Sequence, residues 1–455
     1  MDQFDLVVIG AGPGGYVAAV EAAKQGLRTA VVERRDLGGT CLNRGCIPSR
    51  ILLHAAYLLR MSKQFPAQGL TPVTDAALDP VALKAWRDDV VPKLQAGIAQ
   101  LFKMHKVTRY DGHGTLVAPD RVTVTEADGT VRDLQAKFVL LATGAVNIVP
   151  DNIPGGELAL TSDDLLEHLD VVYPRLLISG GGVTGVEFAA AYIDLGCQVT
   201  MISSCTLRHM DRELSRSMQA LLKKRGVDYH EEARLRSIEK TETGLRCICM
   251  DKKTGERFEC EADAVLMAAA PRSDTTNLFG PGVSVEMNGY DIKVDEHWRT
   301  SLPGVYAIGD VTGGLRLAHV ASAAGKCAVA HMLGKPDPID MGVVPGCVYT
   351  YPQIATVGLT ADAAREAGYT VRTRKLPMTA NGQALVTREE RSFVKVVEEA
   401  ETGRILGAQL FCAQASEMIG ELSLAIARGL TVKDLSRVIH PHPTYNEILG
   451  DLFSL

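Results

Sequence analysis

The chain has 455 residues, enough for roughly two to four domains, and a globular composition with 46% hydrophobic and 22% charged residues. The net charge of −6 gives no basic excess that would indicate binding to nucleic acid or to an anionic membrane. No apolar run approaches the roughly 18–20 residues of a membrane span, and the N-terminus lacks the regions of a signal peptide, which predicts a cytoplasmic protein.

The first predicted element is a buried strand over residues 6–9, followed by a glycine-rich turn and a helix from about residue 16 to residue 25. A second predicted strand starts at residue 29 and ends at Glu33. The turn contains Gly10, Gly12 and Gly15. This G-x-G-x-x-G pattern, placed between strand and helix, is typical of a turn that binds the pyrophosphate of a dinucleotide, and the acid binds a ribose.

Two cysteines follow within a predicted loop. Four residues separate Cys41 from Cys46, and an apolar, helix-like run starts at about residue 51. A dithiol beside a bound redox cofactor can pass electrons between that cofactor and a substrate disulfide, because thiols and disulfides interconvert by exchange. The chain therefore has the thiols of a redox reaction next to its first dinucleotide fingerprint.

The same fingerprint recurs 170 residues later. The repeated glycines are Gly180, Gly182 and Gly185, with predicted strands over residues 176–178 and 199–202. Two such units predict two dinucleotide sites, one for a tightly bound flavin and one for an exchangeable nicotinamide.

The repeat differs at the position of the ribose-binding acid, because the counterpart of Glu33 is Ser203. An acid at this position favours NAD and repels the 2′-phosphate of NADP, and a serine does neither strongly. Arg208, five residues on, either reaches a 2′-phosphate or faces solvent. The preference between NAD and NADP stays open from the sequence.

Ten cysteines are spread over the chain, unlike the disulfide framework of a small secreted protein. Cys247 and Cys249 form a C-x-C pair, but no histidine or second cysteine pair lies at a spacing suitable for a metal. We therefore predict no metal site, and interpret the pair as alternate residues of a strand.

These features resemble the flavin-dependent pyridine nucleotide–disulfide oxidoreductases, and within that family the dihydrolipoamide dehydrogenases. The resemblance runs nearly from end to end and rests on several motifs: residues 10–15, 38–50, 142–144, 180–187, 303–310, 317–319 and 440–447. It implies an α/β fold with two Rossmann-like dinucleotide-binding domains and a C-terminal α+β dimerisation domain. The predicted boundaries are 1–145 with 272–340 for FAD, 146–271 for NAD(P), and 341–455 for dimerisation.

The resemblance also implies the catalytic roles. Cys46 would face the flavin, and its position at a helix start favours a thiolate. Cys41 would exchange with substrate sulfur. His442 would be the base, oriented by Glu447, and contributed by the partner subunit of a homodimer. His440 is not selected, because in the family pattern the base directly precedes Pro-Thr.

Further residues are implied to contact the cofactors. The flavin set comprises Gly39, Thr40, Arg50, Gly114, Thr143, Gly144, Ala145, Asp310, Leu317, Ala318 and His319, in addition to the first fingerprint. The nicotinamide set comprises Glu187, Ser203 and Ala270, in addition to the second fingerprint.

Three positions depart from the family pattern, all near the nicotinamide. Arg50 stands where lysine is usual, so a planar fork replaces a compact ammonium. Residues 270–273 read Ala-Pro-Arg-Ser instead of Gly-Arg-Arg-Pro, and Ser203 replaces the acid.

The resemblance implies oxidation of dihydrolipoyl groups with hydride transfer to NAD+, possible partners being a 2-oxoacid dehydrogenase or glycine-cleavage complex. One alternative is an NADPH-dependent reductase of another disulfide. A structural subunit of an acyltransferase complex would not need the two cysteines and the His–Glu pair. An NADH oxidase or transhydrogenase would not need the cysteines.

Overall fold

The structure is a computed structural model that describes residues 2–389 and 391–455. Its α-helices are Pro13–Lys24, Gly39–Arg44, Cys46–Ser62, Pro80–His105, Ser162–Glu167, Val183–Asp194, Arg212–Lys224, Ala318–Met332, Ala361–Glu366, Gly382–Val386, Ala415–Ala427, Val432–Leu435 and Glu447–Ser454. Short 3-10 helices are Phe65–Gln68, Gly156–Leu158, Gly309–Thr312 and Met378–Ala380.

The first sheet is a parallel layer extended by an antiparallel hairpin. The parallel strands, in spatial order, are Thr108–Asp111, Thr29–Glu33, Asp2–Ile9, Val131–Leu141 and Val305–Ala307. The antiparallel strands Arg121–Thr125 and His113–Ala118 continue from the first half of the long strand. Both faces of the parallel part are buried, as expected for strands that read as continuous apolar runs.

The second sheet repeats the parallel pattern. Its strands, in spatial order, are Asp228–Glu231, Gln198–Ser203, Arg175–Ser179 and Ala264–Met267. A three-stranded antiparallel sheet packs on one of its faces and consists of Ala233–Thr241, Gly244–Asp251 and Arg257–Ala262.

The third sheet is antiparallel and lies in the C-terminal part. Its strands, in spatial order, are Gly346–Val348, Gln353–Gly358, Ile405–Cys412, Phe393–Glu399 and Val371–Pro377. Residues of Ala415–Ala427 and Glu447–Ser454 share an apolar core with it. Two small antiparallel pairs join Ala145–Val146 to Arg272–Ser273, and Met287–Asn288 to Asp291–Ile292.

The predicted fold class is confirmed, with two local corrections. The first helix starts at Pro13 rather than near residue 16, because Gly12 is its N-cap and proline suits the first helical position. Cys41 lies in the helix Gly39–Arg44 rather than in a loop. Within the described residues, no helix is both long and apolar enough to cross a membrane.

Candidate active site

The two glycine fingerprints have the same geometry. A Cβ atom added to Gly15 would lie 1.9 Å from the carbonyl oxygen of Gly10, and one added to Gly185 would lie 2.0 Å from that of Gly180. Only glycine allows the helix to approach the turn so closely. A Cβ at the middle glycine of either turn would meet no protein atom within 4 Å, so both turns present open backbone at a helix N-terminus.

A cavity opens beside the first turn at the carboxyl ends of the parallel strands. It is lined by Gly10, Val32, Glu33, Gly112, Gly114 and Thr143, among others. The carboxylate of Glu33 accepts from the backbone N–H of Ala11 (2.7 Å) and of Arg35 (2.9 Å). Because Glu33 is fixed at the rim and Gly114 keeps the wall free of a side chain, the cavity fits the adenosine end of a dinucleotide.

Asp274 also lines this cavity, and the sequence did not single it out. Asp274 is buried, and its carboxylate pairs with Arg34. The hydroxyl of Thr143 donates to the carbonyl of Asp274 (2.7 Å), and the N–H of Asp274 donates to the carbonyl of Gly144 (2.9 Å). The sequence separation of 131 between Thr143 and Asp274 explains why no local pattern could indicate this contact.

Asp310 lies in the 3-10 helix Gly309–Thr312, which follows the strand Val305–Ala307 of the first sheet. Burial raises the pKa of its carboxyl group, and the positive charge of Arg316 opposes that rise. Its carbonyl accepts from the hydroxyl of Ser273 (2.9 Å), which also donates to Asp291 (2.5 Å). The segment 270–273 therefore serves to anchor the Asp310 turn, while Ala270 itself is exposed.

Cys41 and Cys46 form a disulfide with a Cα–Cα distance of 4.7 Å. Cys46 is the first residue of the 17-residue helix Cys46–Ser62, so the helix dipole stabilises a thiolate on it. The disulfide segment lies against the first glycine turn, since a Cβ on Gly39 would be 2.8 Å from the Cα of Gly12. Thr40 is partly buried in the same short helix.

Asn43, between the two cysteines, is a second residue that the sequence did not single out. Its side chain is buried and donates to the carbonyls of Leu37 (3.0 Å) and Gly39 (2.8 Å). Gln95 donates to its side-chain oxygen (2.6 Å), and Arg87 donates to its backbone carbonyl (3.1 Å). These bonds hold the segment between the cysteines in place.

Arg50 connects the disulfide helix to the second dinucleotide unit. Its guanidinium donates to the carboxylate of Glu187 (2.7 Å) and lies over the ring of Tyr349 at 3.6 Å from the ring centroid. The N–H of Tyr349 donates to the other oxygen of Glu187 (2.8 Å). Burial raises the pKa of Glu187, and the positive charge of Arg50 opposes this rise. The contacts among Arg50, Glu187 and Tyr349 join the disulfide helix, the second dinucleotide unit and the C-terminal part of the chain.

Replacing Arg50 with methionine is expected to lower the free energy of unfolding by about 1–3 kcal/mol, because it leaves the buried Glu187 carboxylate without its cation. Urea unfolding at fixed protein and FAD concentrations measures the loss. The double variant Arg50→Met/Glu187→Gln removes the uncompensated charge and should recover most of it. If the double variant instead lost the sum of the free energies of unfolding that the two single substitutions lose, the proposed pairing of Arg50 with Glu187 would be contradicted.

His442 and Glu447 form the predicted pair. The Nδ1 atom of His442 lies 2.7 Å from Glu447 Oε2. The His442 side chain is 78% exposed, whereas that of Glu447 is 18% exposed, so the carboxylate is anchored and the imidazole projects outwards. His440 differs, because it is 6% exposed and lies 3.1 Å from Glu421. Among the described residues, no hydrogen bond or ion pair joins His442 to either cysteine of the same subunit.

The loop that bears His442 rests on residues 381–389. Asn381 donates to the carbonyl of Thr444 (2.9 Å), and the hydroxyls of Thr387 and Tyr445 are 2.5 Å apart. Glu389 follows in this segment, and its carboxylate accepts from the N–H of Ala413 (2.6 Å). Burial raises the pKa of Glu389 to about 7.

A Glu389→Gln variant should therefore change how stability depends on pH. The folded state holds the Glu389 proton up to about pH 7, whereas the unfolded state releases it near its ordinary pKa, so the wild-type protein loses stability as pH rises between these values. The loss is on the order of 2 kcal/mol after allowance for partial exposure, and the variant should lack it. Urea unfolding between about pH 5 and pH 8.5 tests this. The exposed Glu401→Gln variant is the control, and parallel curves for wild type and Glu389→Gln would contradict the expectation.

The remaining candidates lie around the two sites. Leu317 caps the helix Ala318–Met332, in which Ala318 is first and His319 second, and His319 Nε2 lies 2.8 Å from the carbonyl of Pro345. Ala145 pairs with Ser273 in a short strand. In the second unit, Ser203 is buried, and Arg208 is exposed.

Two dinucleotide-binding units, joined through the helix that carries Cys46 of the disulfide, define a disulfide oxidoreductase that works with dinucleotides. Comparison with known proteins agrees. Residues 4–325 match the model of the pyridine nucleotide-disulphide oxidoreductases, and residues 344–452 match the dimerisation domain of the same proteins. The chain belongs to this family, which uses FAD and a pyridine nucleotide, and it is a flavoprotein disulfide oxidoreductase with Cys41–Cys46 as its redox disulfide.

Similar proteins include a dihydrolipoyl dehydrogenase from Bacillus subtilis, 36% identical over 99% of this chain and 97% of the relative. A dihydrolipoyl dehydrogenase from Thermus scotoductus is 39% identical over 98% of this chain and 96% of the relative. Among solved structures, LpdA from Mycobacterium tuberculosis superposes with a TM-score of 0.89 at 28% identity, covering 100% of this chain and 99% of the other.

The HOCl-induced flavoprotein disulfide reductase RclA from Escherichia coli, solved as a Cu(II) complex, is as similar in structure. Its TM-score is 0.88 at 28% identity, with 100% of this chain and 99% of the other covered. Thus relatives of more than one kind share this fold.

Proposed function

We propose that the chain forms a homodimeric FAD enzyme that oxidises dihydrolipoyl groups and passes hydride to NAD+. The observation that supports this best is the pairing of His442 with Glu447, since a base fixed by a carboxylate is what a dithiol substrate needs in addition to the Cys41–Cys46 disulfide. The similarity to dihydrolipoyl dehydrogenases over almost the full chain adds to it. A lipoyl group on a 2-oxoacid dehydrogenase or glycine-cleavage complex is the candidate physiological substrate.

The residues around the first glycine turn fit FAD. Glu33 would bind the ribose, Gly12 would admit the pyrophosphate, and Asp310 would bind the ribityl chain. FAD would supply a two-electron relay between the dithiol and the nicotinamide. We keep residues 1–145 with 272–340 as the FAD domain, 146–271 as the NAD(P) domain and 341–455 as the dimerisation domain.

The thiol chemistry follows from the positions of the protein groups. If Glu447 accepts from Nδ1–H of His442, the Nε2 atom is free to take a proton from a substrate thiol. The substrate thiolate attacks Cys41, and Cys46 leaves as a thiolate stabilised by its helix N-terminus. The second substrate thiol then attacks the mixed disulfide and releases Cys41. The substrate becomes a disulfide, and the protein gains two electrons as a dithiol.

The base would come from the partner subunit. His442 is exposed and, among the described residues, makes no hydrogen bond to Cys41 of its own subunit, while the dimerisation domain supports a homodimer. A second copy would bring an exposed imidazole to the disulfide, so the active site would be composite.

A substrate panel tests the proposal. Dihydrolipoamide with NAD+ should turn over faster than glutathione disulfide with NADH or NADPH. Preferred turnover of another disulfide with NADPH would replace the proposal by the second candidate.

That second candidate, an NADPH-dependent reductase of another disulfide, is favoured by the surroundings of Ser203. The Ser203 hydroxyl donates to the carbonyl of Cys205 (2.9 Å) and accepts from its N–H (3.0 Å), so it turns back onto its own loop. No acid at this position repels a 2′-phosphate. Burial lowers the pKa of Lys252, Arg234 and Arg208 lower it further, and Glu232 opposes them. Reduction of the flavin in a single turnover by NADH and by NADPH separates the candidates.

A further inference from the structure

Three cysteines outside the active site lie together on one face of the three-stranded sheet that packs on the second dinucleotide unit. Cys247 and Cys249 are alternate residues of the central strand Gly244–Asp251, and Cys260 lies on the edge strand Arg257–Ala262. Cys247 is directly opposite Cys260 in the register, and Cys249 is the next residue along the same face. We call Cys247, Cys249 and Cys260 the strand thiol cluster.

The members of the strand thiol cluster differ in exposure. Cys247 and Cys249 are fully buried in the core between the two sheets, whereas Cys260 is partly exposed. Near its strand, His230 stacks on Phe258 with ring centroids 4.6 Å apart, and His230 lies 3.0 Å from the carboxylate of Asp228. A small reagent can therefore reach Cys260 but not the other two thiols.

The geometry suits a disulfide across the two strands. Residues directly opposite one another in an antiparallel pair have Cα atoms about 4.5–5.5 Å apart, which lies within the range of natural disulfides. The Sγ of Cys249 donates to the carbonyl of Cys247 (3.8 Å), and the neighbouring Cys249 thiol lowers the pKa of Cys260. Cys260 is thus the accessible thiol, with two buried partners beside it.

From this arrangement we propose that the strand thiol cluster is a second redox-active thiol site, in which a hydroperoxide oxidises Cys260 and a thiol of the central strand closes a disulfide. With hydrogen peroxide, the Cys260 thiolate takes one oxygen atom to become a sulfenic acid, and hydroxide leaves. The thiol of Cys247 or Cys249 then attacks the sulfenic sulfur and water leaves. In total, two thiols and one hydrogen peroxide give one disulfide and two waters.

The site is independent of the Cys41–Cys46 disulfide and of the substrate proposed above. Among the described residues, no group of three or more histidine, cysteine, aspartate or glutamate side chains has the arrangement of a metal site. Without a neighbouring thiol, an oxidised cysteine proceeds to sulfinic acid. The buried partners would divert Cys260 from that irreversible product.

Peptide mapping of the holoenzyme tests the proposal. The protein is treated with hydrogen peroxide, alkylated with N-ethylmaleimide and digested with trypsin under non-reducing conditions. Cleavage after Arg246, Lys252, Arg257 and Arg272 separates residues 247–252 from 258–272. We expect these peptides to be joined and to separate on reduction, with a mass equal to their sum less two hydrogen atoms, plus one N-ethylmaleimide group where the third cysteine is alkylated. The exposed Cys205, outside the cluster, should gain oxygen or remain alkylated.

Variants complete the test. Cys260→Ser should abolish the joined peptide while keeping turnover and FAD content. In the double variant Cys247→Ser/Cys249→Ser, hydrogen peroxide should oxidise Cys260 to sulfinic acid, because no thiol is left to form the disulfide. The single variants identify the partner on the central strand. Two outcomes would overturn the proposal. In the first, Cys260 stays fully alkylated at a peroxide concentration that oxidises Cys205. In the second, Cys260 gains oxygen but the two peptides are not joined.

Discussion

Replacing Cys41 with serine is expected to lower dithiol–disulfide turnover by at least about 10³-fold, because the sulfur that exchanges with substrate is lost. Cys46 then remains as a single thiol at the helix start and has no partner in the segment. Steady-state turnover of dihydrolipoamide measures the effect. Electron transfer from NADH to an artificial quinone acceptor should persist, because it does not need the disulfide.

The matched control is Cys260→Ser, which removes a partly exposed cysteine on the edge strand Arg257–Ala262, outside both glycine turns. It should leave both reactions unchanged. If Cys41→Ser kept its turnover of dihydrolipoamide, the Cys41–Cys46 disulfide would not be the site of exchange, and the proposed function would be wrong.

Replacing His442 with alanine is expected to lower dihydrolipoamide turnover by about 10²–10⁴-fold while FAD content is kept, because a substrate thiol then has no base to take its proton. The loss should become smaller above about pH 9, where substrate thiols ionise without help. A pH profile of turnover for the wild type and the variant therefore distinguishes a lost base from a damaged fold.

His440→Ala is the control for this loop. His440 is two residues away, buried, and bound to Glu421 instead of Glu447. Its loss should leave turnover largely unchanged. Equal losses in the two variants, with the same pH profile, would mean that the loop matters only for structure and that His442 is not the base.

Much of the fold and site could be predicted from local patterns. The two glycine turns, the strands around them and the Cys41–Cys46 pair follow from short-range patterns, whereas the pairing of His442 with Glu447 is implied by the family resemblance. Residues such as Asn43 and Asp274 could not be predicted. Their partners, Gln95 and Thr143, lie 52 and 131 residues away and meet them only in the folded chain.

By itself, the sequence determined the two dinucleotide turns and the dithiol, because a tight turn, a helix start and a close backbone approach each require particular residues at neighbouring positions. Only the tertiary structure decided that Arg50 reaches Glu187 and Tyr349, and that Cys260 lies opposite Cys247. These contacts depend on strand register and on how the domains pack. Arg50 and Glu187 are 137 residues apart in the chain and meet only when the domains pack, whereas Cys247 and Cys260 lie on consecutive strands whose register no local periodicity encodes.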